Sequence, residues 1–135
     1  AEEALLELQF LRSRKPTNRD VLLRLAACYR ELGELERAAE VLDELLKYRP
    51  DDMSVLLERG RLALDAGQLA DAERWLRDAE RRVPSHREVL LALARCLQLA
   101  GKTVDAENYR RMVNSLDAGG LPGMGAGGTA AGGAL

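Results

Sequence analysis

Pro16, Pro50 and Pro84 stand 34 residues apart, and Gly33, Gly67 and Gly101 keep the same interval, as do Ala38, Ala72 and Ala106. Three unrelated residue types holding one frame through successive copies point to a stack of repeated supersecondary units. Each unit is too small to bury its own apolar face and depends on its neighbours to do so. Such a stack needs only neighbour contacts, so 135 residues suffice and the length suits one domain. The surface is a mixed one: a net charge of −2 with 31% charged residues makes no bulk electrostatic case for nucleic acid or an anionic membrane. No run approaches the roughly 18 apolar residues of a spanning helix, so no membrane insertion is expected. The chain opens on Ala1-Glu2-Glu3-Ala4 without an initiator methionine, and is therefore silent about leaders or domains upstream.

Within the frame, residues 1–16 read as the second helix of a partial copy, residues 17–50, 51–84 and 85–118 as three full copies, and residues 119–135 as a Gly-rich tail or linker. The first helix carries Ala4, Leu5, Leu6, Leu8, Phe10 and Leu11, too broad for one stripe, and is expected to be buried on most sides. Leu6 and Phe10 are the candidates for covering by a second molecule. Thr17-Asn18-Arg19-Asp20 and Ser85-His86-Arg87-Glu88 fit a hydroxyl-capped helix start with an acid three residues on. Gly33, Gly67 and Gly101 are placed to end first helices in the left-handed conformation, and Pro50 and Pro84 to end second ones. Leu22, Leu25 and Tyr29, Leu56, Gly60 and Ala63, then Leu90, Ala94 and Leu97 recur in register as packing positions. Gly60 shares its slot with Ala26 and Ala94, as a close approach of two helices requires. Cys28 and Cys96 lie two periods apart, beyond the reach of a disulfide, and are expected to be free thiols, which favours a soluble protein in the cytoplasm.

No constellation for catalysis, metal or cofactor emerges. Gly123, Gly125 and Gly128 match a phosphate-binding pattern without the strand, helix or acid that give it meaning. His86 is the only histidine, which leaves neither a metal-ligand set nor a nucleophile with its base. Basic residues near the ends of second helices, such as Arg12, Arg14, Lys47 and Arg81, offset helix dipoles rather than mark phosphate contacts, and nucleic acid is not an expected partner.

With Arg19, Met53 and Arg87 as first positions, the small and bulky slots hold Leu22, Ala26, Tyr29, Ala38, Leu42 and Pro50, then Leu56, Gly60, Ala63, Ala72, Leu76 and Pro84. In this the chain resembles the tetratricopeptide repeat family. The third copy departs from the pattern, with Arg110 at a bulky slot and Ala118 at the proline slot, as a terminal copy would. The resemblance implies an all-α fold, a right-handed superhelical solenoid of antiparallel helix pairs with about 3.5 repeats and seven helices. It also implies a non-catalytic interaction scaffold that binds a peptide or helix in the concave groove. The groove slots so carried over are Leu23, Arg24, Ala27 and Arg30, then Leu57, Glu58, Arg61 and Leu64, then Leu91, Arg95 and Gln98. Leu23, Leu57 and Leu91 would form an apolar rail, with Arg61 and Arg95 in one row, suited to an apolar segment with acidic residues. The lysine, asparagine and arginine clamp of chaperone-binding members is replaced by Leu23, Ala27, Glu58, Glu88 and Ala92, so chaperone C-termini are not expected ligands. Two other readings stand beside the groove: self-association through the first helix or the tail, and service as the regulatory part of a larger enzyme or assembly complex.

Overall fold

The computed structural model describes residues 1–119. Among them are seven α-helices and no strand: α1 (Glu2–Arg14), α2 (Arg19–Glu31), α3 (Leu35–Tyr48), α4 (Met53–Asp65), α5 (Leu69–Arg82), α6 (Arg87–Leu99) and α7 (Thr103–Gly119). The tail and its Leu121, Pro122 and Met124 lie outside the described residues.

Each helix pair is joined by the same turn. Gly33, Gly67 and Gly101 have φ of 80°, 76° and 82°, which a side chain would resist. After α2, the Glu34 amide donates to the Tyr29 carbonyl at 2.8 Å and the Gly33 amide to Arg30 at 3.0 Å, closing a Schellman motif. Gln68 with Gly67 and Lys102 with Gly101 repeat it after α4 and α6. Second helices stop before proline, where Arg49 and Val83 take φ of −137° and −135°, outside the α region. Without that proline, α7 runs through Ala118 and reaches 17 residues against 14 in α3 and α5.

The helix starts differ from expectation by one residue. Asn18, not Thr17, caps α2, its Oδ1 accepting from the Val21 amide at 3.0 Å, and Asp52 caps α4 in the same way. The cap position of α6 falls on His86, the same repeat slot as Asn18 and Asp52, but its side chain makes no capping bond, and Ser85 before it takes a positive φ of 64°.

Although the length suggests one domain, the contacts divide the chain into two compact units, Ala1–Val83 and Pro84–Leu135. In the first, α1 packs on α2, α2 on α3, and α4 is received against both α2 and α3 before pairing with α5. Leu8, Leu22, Leu25, Leu42, Leu45, Val55 and Leu62 form its core. At the Gly60 slot, a Cβ would stand 2.6 Å from Leu76 Cδ2, so α4 and α5 meet where only hydrogen fits. In the second unit α6 pairs with α7, and Leu90, Leu93, Leu97, Ala106 and Val113 are buried. Helix α1 is not buried on most sides: among its residues only Leu8 is buried, while Leu6 and Phe10 are 70% and 60% exposed. Helix α2 covers one face of it and Arg12 reaches Glu44 of α3 at 2.8 Å, while the side of Leu6 and Phe10 stays open.

Candidate functional site

In the first unit the groove slots lie on α2 and α4, and their charges satisfy one another. Arg30 Nε donates to Glu58 Oε2 at 2.7 Å and Nη1 to Asp65 Oδ2 at 3.2 Å, while Arg61 Nη1 reaches Glu58 Oε1 at 3.4 Å. Burial by itself would lower the Arg30 pKa. The hydrogen bond and charge of Glu58, followed by those of Asp65, outweigh it and hold the guanidinium above the ordinary arginine value. Leu57 and Leu64 are buried, as is Glu58, whereas Leu23 and Ala27 are half-buried and Arg24 is exposed. Arg30, expected to meet a ligand, is here a link between α2 and α4, and Arg61 pairs with Glu58 within α4.

A second link joins the same two helices at their starts. Arg19 grips Asp52 through Nε at 2.5 Å and Nη2 at 3.0 Å, and the same carboxylate accepts from the Ser54 and Val55 amides at the start of α4. The bond from Arg19 and its charge hold the Asp52 carboxyl below the usual aspartate value.

The second unit offers an open groove instead. Between α6 and α7 lies a cleft of about 450 Å³ floored by Leu91, Ala94, Leu99 and Val113 and edged by Arg87, Arg95, Arg110 and Gln98. Leu91 is 39% and Leu99 55% exposed. Arg95 and Gln98 are exposed on the same helix face, and Arg110 donates to Gln98 at 3.2 Å. The ion pairs on this rim, Arg87 with Asp117 at 2.9 Å and Arg110 with Glu107 at 3.5 Å, are open to water. Pairs of that kind are weak in water, so an incoming carboxylate displaces them at little cost. The Arg30–Glu58 pair, with side chains 19% and 10% exposed, is far harder to displace.

The structure thus gathers Leu91, Arg95 and Gln98 into one cleft and ties Arg30, Glu58 and Arg61 into an internal network. Leu99, also a groove slot of the third copy in the repeat frame, lines the cleft as well, whereas Arg110 was not among those slots. Arg110 was visible as a departure from the bulky slot, and its meaning is now plain: at that slot α3 and α5 bury Leu42 and Leu76, while α7 turns a cation to the cleft. Also unforeseen are Val104, Met112 and Leu116, exposed along α7. Among the described residues no group of three or more His, Cys, Asp or Glu side chains could hold a metal ion. No described helix is long and apolar enough to cross a membrane.

Sequence models of the tetratricopeptide repeat match residues 1–62 and 57–117, which between them take in every helix pair. The chain belongs to the tetratricopeptide repeat family. Such repeats are protein-interaction scaffolds, and the helix pairs and Schellman turns above are how this tetratricopeptide chain builds one. No curated protein matches it significantly. Among solved structures it is similar to MamA AMB-1, with a TM-score of 0.73 and 20% identity over 88% of this chain and 70% of that one. It is also similar to MamA 41-end from Desulfovibrio magneticus RS-1, with a TM-score of 0.73 and 21% identity over 87% of this chain and 66% of that one. At these identities the likeness is one of fold.

Proposed function

We propose that this chain is a non-catalytic scaffold that anchors a partner segment, apolar with acidic residues, in the cleft between α6 and α7. The observation that supports this is the cleft itself: exposed Leu91 and Leu99 side by side with Arg87, Arg95 and Arg110. Apolar floor and guanidinium rim together suit a segment that alternates hydrophobic anchors with carboxylates. The face of α2 and α4 is the weaker candidate, because Leu57 and Leu64 are buried and Arg30 is committed to Glu58.

A displayed library of random peptides tests the reading without knowledge of the natural partner. Selection on the intact chain is expected to enrich acid-flanked apolar peptides. Leu91→Glu with Arg95→Glu is expected to weaken them at least about tenfold with helix content unchanged by circular dichroism. Enrichment that is indifferent to both substitutions would remove the cleft from consideration.

A further inference from the structure

The chain carries, on its own first helix, the kind of segment the α6–α7 cleft is shaped to take. On α1, Leu6 and Phe10 stand four residues apart on one exposed ridge, 70% and 60% exposed, with Glu2, Glu3 and Glu7 beside them. In the repeat frame these two slots correspond to Glu40 and Glu44 of α3 and to Arg74 and Asp78 of α5. Polar residues at these slots therefore serve the fold, and two large apolar ones in water call for another explanation. The guanidinium of Arg14 lies 5.9 Å from the Phe10 ring centroid and leaves most of the ring open.

Unit one shows how a helix enters such a cleft: α4 is received against both α2 and α3, burying Val55 and Leu62. The α6–α7 pair presents the corresponding slots, with Leu91 for Leu23 and Val113 for Leu45. Helix α1 and the cleft wall α6 are each 13 residues long, about 20 Å at 1.5 Å per residue. The carboxylates of Glu2, Glu3 and Glu7 complement a rim whose three arginines, Arg87, Arg95 and Arg110, outnumber its two acids, Glu107 and Asp117.

We infer that α1 of one copy docks in the α6–α7 cleft of the next, so that the chain assembles head to tail with copies of itself. The contact is heterologous: donor and acceptor surfaces lie at different places on one chain, and assembly continues until the rotation closes a ring or runs on as a filament. The inference rests on reading the cleft as a binding surface, and narrows its occupant to a second copy.

Light scattering and sedimentation of the full chain test it. Mass is expected to grow with concentration and to fall as salt screens the carboxylate–arginine contacts. Leu6→Glu with Phe10→Glu disables the donor, and Leu91→Glu with Leu99→Glu disables the acceptor; all four side chains are exposed, and circular dichroism checks that both variants fold. Each variant alone is expected to be monomeric, while an equal mixture forms a dimer and stops, because one intact donor meets one intact acceptor. A chain that stays monomeric up to millimolar concentration overturns the inference, and so does assembly that survives both variants or a mixture that fails to pair. Library peptides that bind the cleft of a strictly monomeric chain would leave the anchoring role standing and remove only self-docking.

Discussion

At Gly60 one hydrogen atom decides how closely two helices approach. In the first and third copies the slot holds Ala26 and Ala94, both buried, but across the α4–α5 contact a methyl would press Leu76 Cδ2 at 2.6 Å and Cγ at 2.7 Å. Gly60→Ala gains about 1 kcal/mol of helix propensity and loses about 1–3 kcal/mol to overpacking against a fully buried leucine. A net loss of about 1 kcal/mol is expected. Gly60→Leu gains similar propensity but drives a far larger side chain into Leu76, and is expected to cost several times that, read as a lower midpoint in urea with the slope unchanged. Leu57 and Leu91 show the same dependence on surroundings. They occupy one repeat slot, yet the first is 5% and the second 39% exposed, so glutamate at 57 strikes the core and glutamate at 91 only the cleft.

Between elements, charge fixes which helix meets which. Arg19 of α2 holds Asp52 at the start of α4, and Arg30 of α2 holds Glu58 further along the same helix. Because the folded pKa of Asp52 is depressed, the pair contributes stability that is fully present above the unfolded aspartate value and is lost as pH falls through the folded one. Asp52→Asn keeps a capping oxygen, as Asn18 does at α2, and removes the charge together with the oxygen that accepts from Arg19 Nε. Its cost is expected to be about 0.5–1 kcal/mol at neutral pH and to fade as pH falls through the depressed folded value, where the native carboxylate is protonated as well. Denaturant titrations of both proteins across acid pH check this, and a constant difference at every pH would show that the pair is not the cause.

At the scale of the molecule, the two units are unequal. Residues 1–83 hold five helices, four of which, α1 to α4, share one buried cluster, whereas the described part of the second unit is a single helix pair. One pair buries too little apolar surface to offset the entropy of ordering about 36 residues. A fragment of residues 1–83 is therefore expected to melt cooperatively by circular dichroism, and residues 84–135 alone to show little helix. A stably folded second fragment would mean that Leu90, Leu93 and Leu97 form a sufficient core without neighbours.

Period, residue type and turn chemistry lie within 34 residues of chain, so the repeat, the seven helices, the Schellman glycines and the packing leucines were legible from sequence. Local rules reached less far at the helix starts, where the caps fall on Asn18 and His86 rather than on the hydroxyls of Thr17 and Ser85. What no periodic pattern could supply is accessibility, which depends on what each surface meets in three dimensions. Burial of Leu57, pairing of Arg30 with Glu58 and opening of the cleft beside Leu91 were decided only by tertiary structure. Equivalent slots in a repeat have equivalent backbones, but neighbours determine whether a side chain is packed, paired or left to bind.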